Sequence, residues 1–254
     1  MTDGARAVGR AFDLLEALAD GPSTLQDLSQ ATGISKTTAF RLLGTLETRG
    51  LVFKDPSRGA YGLGPSLLKA TQGPLSGMVA VATLGQASLR ELSDETGETA
   101  ALHVRHGHER LCVAEAPSPQ SIRYSSVAGT RAPITNGSVG VVLLAFAPEP
   151  SRDHLLLSLQ SSEPSFDAAA IERRLAEARQ RGWAISAGER VPGATAISVP
   201  VTANGQTLAL SVLGPVSRLP SHQLRSFLPA MRHQGKQLTR LLDTHRVSSL
   251  EAVS

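Results

Sequence analysis

The chain has 254 residues, 41% of them apolar and 19% charged, with 25 basic against 22 acidic side chains. That suits one large domain or two ordinary ones with a real core, and it excludes global disorder. No apolar run is long enough to span a bilayer, the first residues open no signal core, and the lone cysteine, Cys112, can form no intramolecular disulfide. A cytoplasmic protein without membrane contact is expected.

The first element predicted is a helix over residues 5–18, with Val8, Ala11, Phe12, Leu15 and Leu18 on one stripe. Gly21-Pro22 stops it. Ser23 or Thr24 caps a second helix, in which Leu25, Leu28 and Thr32 share a face. Gly33 supplies a sharp turn, and Ser35 is placed to cap a third helix. At 100° per residue, Ala39, Leu42, Leu43 and Leu46 of that helix face inward, while Thr37, Arg41, Gly44 and Thr48 face out. Lys36 and Thr38 lie in its first turn. Two strands over 51–54 and 60–63 follow, joined by Asp55-Pro-Ser-Arg-Gly59 with Arg58 and Lys54 at or near the tip.

Two short amphipathic helices around a glycine turn, followed by a hairpin, are the plan of a winged helix-turn-helix. That device lays one helix in the DNA major groove. The outward face suits groove reading, because Arg can fork onto guanine and Thr offers a hydroxyl or a methyl. Residues 1–70 carry eight basic and seven acidic side chains, a net of +1. Attraction to DNA must therefore come from charge placement rather than bulk charge. Aromatics are 4%, which counts against a stacking surface for single strands.

Helical stretches are predicted around 67–70 and over 76–93, divided by Gly73-Pro74. Met78, Val81, Leu89 and Leu92 form the inward stripe of the longer one. The pattern then turns to strands: a hairpin of 99–104 and 110–115, a third strand over 121–125, and further strands around 183–188, 196–201 and 207–213. An apolar helix opens at Gly137, and others cover 149–159 and 167–181. A final helix runs from Ser221 towards His245 with Leu224, Phe227, Leu228, Met231, Leu238 and Leu241 inward and a kink at Pro229. Hairpins interleaved with helices imply an α+β domain, which can enclose a ligand cavity. The expected division is a DNA-binding domain over 1–64, a helical linker over 65–96, an effector-binding domain over 97–246 and a disordered tail over 247–254.

Nearly the whole chain resembles the IclR family of bacterial transcriptional regulators. The likeness is carried by Arg6-Ala-Val with Phe12-Asp-Leu-Leu15, by Gly33-Ile-Ser-Lys-Thr-Thr-Ala-Phe-Arg-Leu-Leu43 and by Tyr61-Gly-Leu-Gly64. Gly97-Glu-Thr99, Gly129-Thr-Arg-Ala-Pro133, Gly188-Glu-Arg-Val-Pro-Gly193 and Ser211-Val-Leu-Gly-Pro215 continue it. The resemblance implies a winged helix-turn-helix joined to a GAF-like effector domain. Such proteins bind double-stranded operator DNA as homodimers or dimers of dimers, under control of a small effector, often an organic or aromatic acid. It puts Ser35, Lys36, Thr37, Thr38 and Arg41 against DNA. Thr24 and Arg58 become phosphate contacts, and Arg6 and Arg10 stand nearby.

The same resemblance borders an effector pocket with Gly137, Ser138, Ser186, Ala196, Ser211 and Leu213. A lysine common in the family is Val141 here, an often acidic position is Ser186, and an often cysteine position is Ala196. The pocket so drawn is less polar than in relatives that grip small oxoacids. Because an unpaired carboxylate in an apolar cavity is costly, a larger or more apolar effector is expected, or one held by backbone N–H groups.

The competing reading is an enzyme that binds a metal or ligand on the C-terminal α+β domain. The chain shows no nucleophile elbow, Walker loop or His-Glu-x-x-His run, so no catalytic residue and no cofactor is assigned. His103, His106 and His108, with Glu109, form the one cluster that suggests a metal, and a solvated hairpin turn is the simpler explanation. A third reading is an interaction module that has lost DNA binding.

Overall fold

The computed structural model describes residues 3–19, 21–72, 76–162 and 167–245. The predicted Gly73-Pro74 break and the 247–254 tail lie outside these residues. The chain divides into two compact units, Met1–Gly73 and Pro74–Ser254.

In the first unit, α1 (Asp3–Ala17), α2 (Leu25–Thr32) and α3 (Lys36–Thr48) pack around Leu14, Leu18, Leu28, Leu43, Leu46 and Val52. Thr24 caps α2: its hydroxyl accepts from the Asp27 N–H and donates to the Asp27 carboxylate. Gly33 turns the chain at φ +68°, and Ser35 caps α3 by accepting from the Thr38 N–H. Inward Ala39, Leu43 and Leu46 are buried and Leu42 is half-buried. The stripe expected on α1 is rotated. The bundle covers Ala11, Leu14, Leu15, Ala17 and Leu18, and leaves Val8 and Phe12 57% and 59% exposed.

Strands β2 (Val52–Asp55) and β3 (Ala60–Leu63) form the wing, and β1 (Ser23–Thr24) pairs with β3 to make it three-stranded. Gly64 allows the wing to return, because a Cβ there would overlap the Gly50 carbonyl. A short helix, α4 (Leu67–Thr71), follows.

The second unit is built on a six-stranded antiparallel sheet. Its strands are β4 (Thr99–His106), β5 (Glu109–Ala116), β6 (Arg131–Pro133), β7 (Ala184–Ala187), β8 (Ala194–Ala203) and β9 (Gln206–Pro215), in the order β6-β5-β4-β9-β8-β7. One face packs α5 (Ser76–Thr96) and α9 (Leu228–Thr244) through Val81, Leu89, Leu102, Leu210, Met231 and Leu238. The other face packs α6 (Gly137–Ala145), with α7 (Glu149–Ser162) and α8 (Ala168–Arg181) behind it. Each fully buried leucine contributes roughly 1.5–3 kcal/mol. No helix among the described residues is long and apolar enough to cross a membrane.

Three expectations need correction. Residues 121–125 are not a strand. Their segment is held by side chains instead: the Glu115 carboxylate accepts from Ser125 Oγ and from the N–H groups of Ser126 and Val127, and Arg131–Pro133 takes the place beside β5. The final helix begins later, after a 3-10 turn over Leu224–Phe227, so Pro229 sits at its start, where no N–H is needed, and does not kink it. Leu242 rather than Leu241 turns inward, with Leu241 39% exposed.

Candidate functional site

Each unit carries one candidate surface. In the first, α3 presents Lys36, Thr37, Arg41 and Thr48 to solvent. Among the described residues, the Arg41 guanidinium and the Thr37 hydroxyl make no hydrogen bond or ion pair, so both are available to a partner. Thr48 and Thr45 donate to the carbonyls of Gly44 and Arg41, which holds their methyls in fixed positions. Lys36 Nζ donates to Gln26 Oε1 at 3.4 Å. Ser35 and Thr38 bond each other at 2.9 Å and complete the helix start, whose free N–H groups favour an anion. Thr24 is exposed, with its hydroxyl engaged by Asp27. The outward face also carries Phe40, 58% exposed, which periodicity alone does not mark.

At the wing, Asp55 accepts from the amide and hydroxyl of Ser57 and fixes the turn. Arg58 lies 4.0 Å from Asp55 with its side chain 81% exposed, a pair too solvated to hold it. Lys54 stacks over the Tyr61 ring at 5.5 Å. These side chains together make a convex cationic surface.

The second unit encloses a cavity at one end of the α6 face of its sheet. All six residues expected at the pocket, Gly137, Ser138, Ser186, Ala196, Ser211 and Leu213, line it. So do His103, Arg110, Tyr124, Glu189 and Arg190, which were not among the residues expected there. The cavity volume is about 50 Å³, more than one water needs.

Antiparallel pairing brings the wall together. Ser211 stands opposite Ala101 on one side and Ser198 on the other, and Leu213 stands opposite Ala196, which pairs in turn with Ser186. A β-bulge re-aims the β5 side chains. Ala114 pairs with Leu102, but Cys112 pairs with His103, so one residue of β5 is extra. Beyond it Ala114 and Ala116 face the α5 core, whereas Cys112 turns to the opposite face and Arg110 opens on the cavity.

The cavity wall mixes charged side chains, Arg110, Glu189 and Arg190, with apolar ones, Val139, Ala196 and Leu213. Arg110 is 7% exposed, and its Nε has no partner. Burial first, then the nearby charge of Arg190, pulls its pKa down to about 10, which still leaves it charged at neutral pH. His103 is buried, and burial with the charges of Arg110 and Arg190 lowers it to about 3, so the ring is neutral. Its Nδ1 lies 3.5 Å from Ser211 Oγ. Among the described residues Glu189 is the one carboxylate on the wall. It accepts from Arg174 at 2.8 and 2.9 Å and from the Gly137 N–H at 3.0 Å, so it serves as a cap to α6. Tyr124 donates to the Pro192 carbonyl and ties down the loop after β7. Val141, taken as the missing cation of the pocket, borders a separate cleft with Arg174 and Trp183 and does not set the cavity's polarity.

The family motifs frame this end of the sheet. Buried Glu98 pairs with Arg218, and Gly214 is required beside it because a Cβ would meet the Glu98 carboxylate. Thr99 Oγ1 donates to the Tyr124 carbonyl and accepts from the Ser118 N–H. The three histidines do not converge: His103 faces the cavity while His108 bonds Ser158 at 2.9 Å. Among the described residues no group of three or more His, Cys, Asp or Glu side chains forms a metal set. Cys112 is buried, and burial pushes its thiol up to about 12.

Two family descriptions match the chain: "IclR helix-turn-helix domain" over residues 7–56 and "Bacterial transcriptional regulator IclR C-terminal" over residues 77–240. Among curated relatives, the probable transcriptional regulator SauR of Cupriavidus necator is 30% identical, covering 92% of this chain and 96% of its own. The HTH-type transcriptional regulator BhcR of Paracoccus denitrificans is 29% identical, covering 93% and 87%. Among solved structures, a transcriptional regulator from Rhodococcus shares the fold with a TM-score of 0.65 at 23% identity, covering 94% of this chain and 99% of that one.

Proposed function

Since the chain belongs to the IclR family of bacterial transcriptional regulators, we propose that it binds operator DNA through α3 and the wing and that a small organic acid in the cavity controls this binding. The observation that carries the DNA reading is the outward face of α3. Free Arg41 and Thr37 stand beside a capped helix start, and the inward face of the same helix is sealed in the core. Arg41 and Thr37, with Lys36, read base edges. Ser35, Thr38 and Thr24 lie at helix starts facing the backbone, and Arg58 meets phosphates from the wing.

Operators read by such a head are half-sites at a fixed spacing, so the working species is a homodimer or a pair of dimers. The exposed Val8 and Phe12 on α1 favour this, because a second copy would bury them. The protein works in the cytoplasm. The effector acts by linkage: it shifts operator affinity only as far as it binds one arrangement of the assembly better than another. Its site is the cavity bordered by Gly137, Ser138, Ser186, Ala196, Ser211 and Leu213.

An electrophoretic shift assay with the DNA upstream of its own gene tests this reading. At low salt the intact protein should retard that fragment far better than a scrambled one. Equal binding of both, or of neither, sinks it.

A further inference from the structure

Two guanidinium groups face the cavity, and among the described residues neither makes an ion pair. Arg110 lies at its inner end, 7% exposed, and among the described residues its side chain makes no hydrogen bond or ion pair. Arg190 stands exposed on the rim, likewise unpaired among the described residues. The wall's one carboxylate, Glu189, already serves Arg174 and the start of α6. A buried charge without a counter-charge is strongly unfavourable, and the planar guanidinium fork fits a carboxylate or sulfonate best. The wall near Arg110 is polar but uncharged: the His103 ring is neutral, and the Ser211 hydroxyl donates to the Ala101 carbonyl at 3.3 Å and lies 3.5 Å from His103 Nδ1.

We propose that the cavity takes a compact dianion: one anionic end sits on Arg110 beside His103 and Ser211, and the other reaches Arg190 at the mouth. This rests on the reading of the cavity as the effector site. Arg110 is buried and Arg190 exposed, so a dianion offers each guanidinium an anionic end of its own. A short spacer suits a cavity of about 50 Å³.

Isothermal titration of the full-length protein with malonate, succinate and glutarate, each against its monoamide, provides the test. The amide keeps the shape and removes one charge. The best dianion should bind at least tenfold more tightly than its monoamide. Arg190→Gln, an exposed change that leaves the core alone, should bring the dianion down to the monoamide's level while the monoamide hardly changes. Arg110→Met should abolish binding of both, with circular dichroism checking that the variant folds. Equal affinity for dianion and monoamide, with both still dependent on Arg110, overturns the charge assignment and leaves the effector site standing. Binding that survives both Arg110→Met and the cavity-filling Ala196→Phe lies elsewhere and overturns both readings. Failure of every acid in the series to bind overturns the proposal.

Discussion

Arg41 and Arg110 carry the same guanidinium into opposite surroundings. Arg41 sits on an exposed helix face, hydrated and unpaired, at no cost to the fold. Arg110 is buried in a sheet face and makes no ion pair among the described residues, so its burial must be offset by packing elsewhere or by a ligand. An exposed charge waits for a polymer of phosphates and tolerates many partners. A buried one accepts only an anion that fits the space, which is the difference between reading a surface and sensing a molecule.

Four experiments would break or sharpen that contrast. The largest effect is expected where the cavity's frame has no slack. Gly140 lies against the Ile134 carbonyl, and a Cβ there would overlap it. Gly140→Val should cost about 3 kcal/mol or more in urea unfolding followed through Trp183, the chain's only tryptophan. A loss below about 1 kcal/mol would mean that this end of the sheet is soft.

Next comes acid sensitivity of the buried end. The folded His103 ring stays neutral down to about pH 3, while the unfolded chain takes up a proton below about 6.5. Stability from this group is therefore complete above about pH 6.5 and declines as pH falls towards 3, by on the order of a few kcal/mol. His103→Gln should flatten the acid limb of denaturant midpoint against pH. An unchanged limb would assign it to other groups.

On the exposed side, Arg41→Ala should cost about 1–3 kcal/mol of operator affinity and relax the preference at one base position, read by competition shift assays. A uniform loss across all sequences would move Arg41 from base reading to phosphate contact. The smallest effect belongs to Arg58→Ala. It should weaken all DNA sequences alike, by about 1 kcal/mol or less at moderate salt, and reduce the slope of log K against log salt by about 0.9. An unchanged slope would remove Arg58 from the phosphate contacts.

The head was legible in the sequence almost residue by residue, because a helix repeats every 3.6 residues and its buried side follows from local spacing. The inward Ala39, Leu43 and Leu46, the turn at Gly33 and the Ser35 cap all follow from that rule. Where it failed, on α1, the reason was geometric. Val8 and Phe12 share an apolar stripe with Leu15, but the bundle meets a rotated face centred on Leu14 and Leu18. Phe40 was missed for the opposite reason, since an apolar residue on an outward arc has no periodic signature.

In the second unit, the motif resemblance pointed to six lining residues but not to the charged ones among them. The cavity's positive charge comes from Arg110 and Arg190, which with the neutral His103 lie on separate stretches of the chain. A β-bulge then decides which face β5 offers, and Arg110 beside the small apolar Cys112 was the one local hint.

By itself, then, the sequence determined the helices, most of the strands, the outward face of α3 and the family, all of which depend on local periodicity or on ordered motifs. Only the tertiary structure decided what the cavity is. Strand register, one extra residue in β5 and the capture of Glu189 by Arg174 and α6 leave two guanidinium groups unmatched, and no spacing along the chain reports where a buried charge lacks its partner.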